Sequence, residues 1–427
     1  MTDTAIPATP KAASQAAPAA GPDTIEFGPS TDIAATIIAS GLADTPVTTL
    51  VEIAMERLVA AGVPLHRMYV GFRILHPLFD GMSIAWTEDG GVKVEYFQAL
   101  DEGNPDFTLS PFYWMICEGQ RELRLRPQEA EIAAFIDKFP LLQGLREDGF
   151  RDYLALIVTF GDKPLTLESH DGLGISWSTK DPDGFSPAHL SVMQEILAPL
   201  SLALRVVIKD QITKNALNAF HGPLVGERIL SGTIKRGDGE RLTAALWYSD
   251  LRNSTGLADA LSVEAFLDLL NVYFDCAAGA VMEEGGQVLD IVGDAILAFF
   301  PADAGNEEAA CSAALRAAAN AQGRLAAAKA KACPRAAEIT FGVGVHFGDV
   351  VFGNAGTRER LKFGVIGRAV NEVARTQDMS KQLGQSIIAS DDVVTRASSG
   401  LGFRLHDLGP HDLRGIPTAK RLWALQI

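Results

Sequence analysis

Phe185-Ser186-Pro187 opens a helix that the chain does not close until His221-Gly222-Pro223. Ser186 offers a capping hydroxyl, and Pro187 at the first helical position lacks only an N–H that would be orphaned anyway. Between these ends Leu190, Met193, Leu197, Leu200, Leu204 and Val207 recur at intervals of three and four, and Ile212 and Leu217 prolong the stripe. A helix of about 45 Å, at 1.5 Å per residue, outruns one small domain. The chain must therefore divide around it, and 427 residues give each part enough length to bury its own core. The stripe suits an a/d seam between two copies of the chain. It suits equally the core-facing side of one domain.

Upstream, residues 1–28 read as a disordered Ala/Pro-rich tail, without the charged and apolar regions of a secretory signal. Residues 47–62 carry a helical apolar period through Leu50, Ile53, Ala54, Met55, Leu58 and Val59. HRMYVGFRIL, GMSIAWTEDGGVKVEYF with its Gly-Gly turn, YLALIVTF and LGISWST look like strands, and an acidic helix is expected around 127–138. This pattern predicts an α+β sensor-like module over 45–205, followed by a helical signalling linker over 206–239. What the module senses is not readable. His66 and His76 flank an apolar strand at positions where haem ligation and ordinary core or surface histidines are both possible.

From Arg241 the pattern changes. LTAALWYSDL reads as a strand, 262–282 as a helix with Phe266, Leu270, Phe274, Ala277 and Val281 on one face, and QVLDI with AILAFF as a hairpin. An Ala-rich helix over 305–332, a second hairpin in ITFGVGVHFGDVVFGN with His346 in its turn, and a helix over 368–383 follow. The order βαββαβ predicts a ferredoxin-like arrangement over 240–427.

Charge and cysteines exclude several classes. The balance of −16, from 37 Lys and Arg against 53 Asp and Glu, argues against nucleic acid and anionic membranes as partners. No uninterrupted run of 18 apolar residues occurs, so a bilayer span is not expected. Cys117, Cys276, Cys311 and Cys333 stand far apart, which argues against structural zinc and suits the reducing cytoplasm.

Two carboxylates stand out. Asp250 ends the first strand of the second half, and Asp294 sits in the turn of the following hairpin. In a ferredoxin-like sheet these positions converge, and a carboxylate pair suits Mg²⁺ or Mn²⁺ bridging to phosphate oxygens. An Asp after Gly in a tight turn also has a purely conformational explanation. On the late helix Arg368, Asn371 and Arg375 share one polar face, a set fitted to an anion and a sugar.

WYSDLRNST (247–255), EEGGQVLDIVGDAILAFF (283–300), GVGVHFGDVVFGNAG (342–356) and VIGRAVNEVARTQDMSKQLG (365–384) resemble the successive signatures of the class III nucleotidyl cyclases. The N-terminal module more loosely resembles the GAF-like regulatory domains attached to bacterial cyclases. The resemblance implies that Asp250, Asp294 and the backbone of Leu251 hold two Mg²⁺ or Mn²⁺ ions. It implies that Asn371 orients the ribose, that Arg375 stabilises charge at the α-phosphorus, and that Arg414 meets the triphosphate. The loop carrying Asn253, Ser254 and Thr255 approaches the same phosphates. It also implies a homodimer whose active sites take metal ligands from one subunit and the Asn/Arg helix from the other.

Two departures bear on the base. Adenylate-forming members carry Lys and Asp where this chain has Asp290 and Arg368, and Asn253-Ser254 replaces the usual Gly-Phe. Asp290 suits the N1–H and N2–H₂ donors of guanine, and Arg368 suits O6 and N7. Adenine remains compatible through its amine and ring nitrogens. Adenylate cyclase, guanylate cyclase and a catalytically degenerate dimeric scaffold are the three readings, in that order.

Overall fold

The computed structural model describes residues 29–98, 105–161, 166, 171–302 and 305–426. The tail expected over 1–28 lies outside them. The chain divides into two compact units, one reaching Lys209 apart from Leu75–Leu78, the other formed by those four residues and Asp210–Ile427.

The N-terminal unit runs α1 (Pro29–Leu42), α2 (Val47–Ala60), β1 (Arg67–Arg73), β2 (Gly81–Thr87), β3 (Gly91–Phe97), α3 (Pro105–Thr108), α4 (Pro111–Cys117), β4 (Glu122–Leu125), α5 (Ala133–Ile136), α6 (Pro140–Glu147), β5 (Asp152–Thr159) and β6 (Gly172–Thr179), then enters α7 (Pro187–His221). Its sheet has the order β3-β2-β1-β6-β5-β4, antiparallel throughout. The acidic helix expected around 127–138 is broken into a 3₁₀ turn at Ala130–Ile132 and the four-residue α5.

Helix α7 starts as its sequence predicts: Ser186 Oγ accepts from His189 N–H at 3.2 Å. Its buried residues are Met193, Ile196, Leu200, Ser201, Ala203, Leu204 and Ile208. The stripe up to Ile208 therefore faces the core of its own chain. Leu197 and Val207, expected on the seam, are only half-buried. Helix α7 and a second helix, Val263–Glu283, have the length and mean hydropathy of a bilayer span by composition alone, although neither contains 18 uninterrupted apolar residues.

The C-terminal unit continues with α8 (Pro223–Leu230), β7 (Gly239–Leu251), α9 (Ser254–Ala260), α10 (Val263–Glu283), β8 (Gln287–Val292), β9 (Ala295–Ala302), α11 (Glu307–Ala330), β10 (Phe341–Gly356), β11 (Leu361–Ile366), α12 (Arg368–Gln382), β12 (Ile387–Ser390), α13 (Asp391–Val394), β13 (Arg404–His411) and β14 (Lys420–Gln426). Its eight-stranded sheet has the order β13-β14-β12-β10-β7-β9-β8, with β11 paired to β10. β10 and β9 flank β7, both antiparallel to it. Helix α10 buries Leu269, Tyr273, Cys276, Ala277, Ala280 and Val281. Its inner face is thus rotated from the predicted one, and Leu270 and Phe274 only flank the core.

The second hairpin expected in 339–354 does not form. β10 is one sixteen-residue strand, and its partner hairpin strand is β11. The reason lies in its glycines, which make room for α12 rather than turning the chain. A Cβ on Gly344 would fall 2.5 Å from the Gln377 backbone nitrogen, and one on Gly348 would fall 2.9 Å from Ala369 Cβ. Backbone cannot yield as a flexible side chain can, so Gly344→Ala should destabilise the unit by about 1–3 kcal/mol in denaturant unfolding. Gly364→Ala, which meets open space, should change stability far less.

Candidate active site

Asp250 is the penultimate residue of β7, and Asp294 immediately precedes β9. The register pairs Ser249 with Ile296, which brings both carboxylates to the same end of adjacent strands. Gly293, with φ of 64°, makes the turn that aims Asp294 there. Burial pushes the Asp250 carboxyl up to about 6, and the neighbouring Asp294 and Asp378 carboxylates push in the same direction, against a backbone hydrogen bond from Leu251. Asp294 Oδ2 is buried without a hydrogen-bond partner. Tyr248 is raised by burial first and then by Asp250, Asp378, Asp294 and Asp290. Four carboxylates thus concentrate negative charge around one strand end.

A divalent cation fits this pair. Two carboxylates that repel one another, one with an orphaned buried oxygen, are relieved by positive charge and by nothing else nearby. No cluster of three His, Cys, Asp or Glu able to hold a metal occurs among the described residues, so further ligands must be backbone, water or substrate oxygens. The Leu251 backbone hydrogen-bonds the Asp250 carboxylate.

The loop after Asp250 is held firmly. Arg252 N–H donates to Thr340 O at 2.7 Å, and the Arg252 guanidinium donates to Ser380 O at 3.1 Å and to Gln385 O. Asn253 takes a left-handed conformation, φ 59°, and precedes α9, where Ser254 and Thr255 form the first turn. Beneath Asp250, the buried Ser249 and Tyr273 hydroxyls share a 2.6 Å hydrogen bond that ties β7 to α10.

On α12, Asn371 is exposed, and Arg375 pairs with Asp378 at 2.8 Å. Asp290 and Arg368 are not brought together within the chain. Asp290 pairs with Lys362 of β11, whereas Arg368 Nε donates to Glu372 at 2.6 Å. Asp290, Lys362 and Phe363 line a cavity of about 1000 Å³ from which Arg368 is absent. Arg414 is exposed in the β13–β14 connection.

Sequence reasoning missed Lys362 and a buried network beneath α12. His346, expected in a turn, lies mid-strand at 3% exposure. Its Nε2 is 2.7 Å from Glu372 and its Nδ1 is 2.8 Å from Ser390 Oγ. Lys420 approaches Glu372 at 3.4 Å. Burial lowers His346 despite Glu372 and Asp392. Burial raises Glu372, but His346, Arg368 and Lys420 outweigh it and hold the carboxylate ionised. The neutral ring therefore donates from Nε2 and accepts the Ser390 hydroxyl at Nδ1. Ser390 is 1% exposed, so this chain of three groups anchors α12 rather than attacking a substrate. The only sequence signal was Glu372, one turn after Arg368 and beside the apolar Val373 and Ala374, which ordinary patterning leaves ambiguous.

The family of the adenylate and guanylate cyclase catalytic domain matches residues 240–426. The C-terminal unit carries a class III cyclase domain. Adenylate cyclase 1 of Rhizobium meliloti is 27% identical over 309 residues, 71% of this chain and 45% of that protein. An adenylate cyclase of Anabaena cylindrica is 29% identical over 220 residues, 50% of this chain and 42% of its own length. The chain thus spans less than half the length of these curated relatives. Among solved structures, the adenylyl cyclase CyaB of P. aeruginosa aligns with a TM-score of 0.39 and 23% identity, over 44% of this chain and 96% of its own.

The carboxylate pair of the cyclase domain has a pH signature. An Asp250 carboxyl raised to about 6 penalises the metal-free fold above that pH, and the penalty disappears as pH falls below the unfolded value near 3.8. Asp250→Asn should therefore stabilise the metal-free protein at pH 7.5 by about 1–2 kcal/mol after solvent screening. It should also flatten the melting temperature between pH 4 and 6. Mn²⁺ affinity of the unaltered protein, measured by calorimetry, should weaken as pH falls through about 6.

Proposed function

We propose that the cyclase domain converts a purine nucleoside triphosphate to its 3′,5′-cyclic monophosphate and pyrophosphate, with ATP as substrate. The convergence of Asp250 and Asp294, with their mutual repulsion, carries this reading. Two Mg²⁺ or Mn²⁺ ions held there would acidify the ribose 3′-hydroxyl and neutralise the departing pyrophosphate. The Leu251 backbone and the Asn253–Thr255 loop face the phosphates, and Arg414 adds positive charge toward them. Asn371 orients the ribose ring, and Arg375 meets the charge that grows at the α-phosphoryl group.

Arg375 is neutralised by Asp378 of its own helix. Its role requires that pair to open, and the reading assigns this to a homodimer in which one protomer's α12 completes its partner's carboxylate site. The strand order β10-β7-β9-β8, antiparallel throughout, supports a ferredoxin-like core over 240–427. The six-stranded antiparallel sheet with helices before and after it supports a GAF-like sensor over 45–205, with 206–239 as its signalling linker and the cytoplasm, where nucleoside triphosphates abound, as its place.

The names of the curated relatives favour ATP. GTP is the second reading, favoured by the carboxylate of Asp290 at the cavity wall beside Lys362, an acceptor beside a donor that matches the guanine edge. Turnover assays with Mn²⁺ and each of the four nucleoside triphosphates decide the substrate. The absence of turnover with all four would leave only the scaffold reading.

Asp250→Ala or Asp294→Ala should abolish turnover while sedimentation shows the assembly unchanged; retained activity would remove the metal assignment. Arg375→Ala should lower kcat by about 100-fold or more with KM nearly constant, because the charge it meets peaks in the transition state.

A further inference from the structure

The N-terminal unit treats most of its buried polar groups carefully. Asp152, 0% exposed, accepts from Arg124 Nε and Nη2 at 3.1 and 2.6 Å and from Phe185 N–H at 2.9 Å. One face of the same sheet breaks this rule. Ser178 of β6 lies opposite Arg67 of β1 and Tyr153 of β5, and Ser176 lies opposite Tyr69 and Ala155. Residues opposite one another in a ladder project to the same side.

Tyr153, Ser176 and Ser178 are each 0% exposed. Tyr153 Oη, Ser176 Oγ, Ser178 Oγ and Arg67 Nη1 are all buried and lack a hydrogen bond of good geometry, although Ser176 lies near enough to Tyr153 to act on its hydroxyl. Arg67 rests against the Tyr69 ring at 5.6 Å and is attracted by the Glu95 carboxylate, but among the described residues no carboxylate forms a close ion pair with it. Each orphaned hydroxyl costs about 1–3 kcal/mol, and an uncompensated guanidinium costs more. Four such groups side by side are what a site looks like before its ligand arrives.

Arg67, alone of these four, also lines a cavity of about 440 Å³, within the range of roughly 300–1,000 Å³ that holds small molecules, and the three hydroxyls lie buried behind it. Leu141, Leu145 and Phe150 form apolar wall, while His66 and Lys180 add donors. Glu88, Asp89 and Asp148 also border it, without pairing to Arg67. A guanidinium has no acceptor, so the group that satisfies it must accept hydrogen bonds and bring negative charge.

We propose that this face of the N-terminal unit binds a small organic anion, its carboxylate or phosphate head on Arg67, Tyr153, Ser176 and Ser178 and its apolar body against Leu141, Leu145 and Phe150. The site is independent of the cyclase reading. Thermal unfolding and calorimetry of the full chain, with benzoate, phenyl phosphate, inorganic phosphate and the cation benzamidine, test it. Benzoate or phenyl phosphate at millimolar concentration should raise the midpoint by several degrees. Whichever acts more strongly names the head group. Inorganic phosphate should act weakly and benzamidine not at all.

Arg67→Met should abolish the anion effect and raise the midpoint of the ligand-free protein, because it removes a buried charge that has no partner. Tyr153→Phe should fold normally and weaken anion binding about tenfold. Three outcomes overturn the proposal: no stabilisation by either aromatic anion, stabilisation that survives Arg67→Met, or a ligand-free Arg67→Met protein less stable than the original.

Discussion

The close seating of α12 on β10 is the contact on which the candidate active site depends. It exists because glycines at 342, 344 and 348 present bare backbone where any side chain would meet the helix. With the helix that near, Glu372 reaches His346 inside the sheet, and the same turn of helix leaves Asn371 and Arg375 on the open side. Van der Waals fit sets the distance, and the buried hydrogen-bonded network sets the rotation about the helix axis. Either alone would leave the polar face free to drift by more than phosphoryl chemistry tolerates.

The two units handle buried polarity by a common logic. Where Asp152 meets Arg124, or His346 meets Glu372 and Ser390, every charge has its complement and the result is rigidity. At Asp250 with Asp294, and around Arg67, the complement is missing. Such imbalance lowers stability, and positive charge at the first site or negative charge at the second would relieve it. The signs are opposite: carboxylates in the C-terminal unit, a guanidinium in the N-terminal unit.

Much of this was legible before any coordinates. The Gly293-Asp294 turn, the Ser186-Pro187 helix start and the placement of Asp250 at a strand end rest on local chemistry, and local chemistry decided them. The failures share one cause, which is that tertiary packing overrode a local signal. Glycines read as a turn in 339–354 serve helix contact instead, which displaced His346 from an expected turn into the core. The apolar stripe of α10 fitted two neighbouring faces, and the choice fell to Tyr273, whose hydroxyl reaches Ser249. Asp290 attracted attention as a base reader, but its partner Lys362 is 72 positions away in sequence and no spacing rule connects them.

The clamp at Phe185 has a mechanical implication. Its carbonyl is held by Arg124 and its amide by Asp152, so the residue two positions before α7 is bolted to β4 and β5. The helix then runs 35 residues, with Pro199 inside it. A shift of β5 is therefore passed directly to the start of α7. Occupancy beside Tyr153, the neighbour of Asp152 on that strand, would therefore act one residue from the clamp that holds the start of α7.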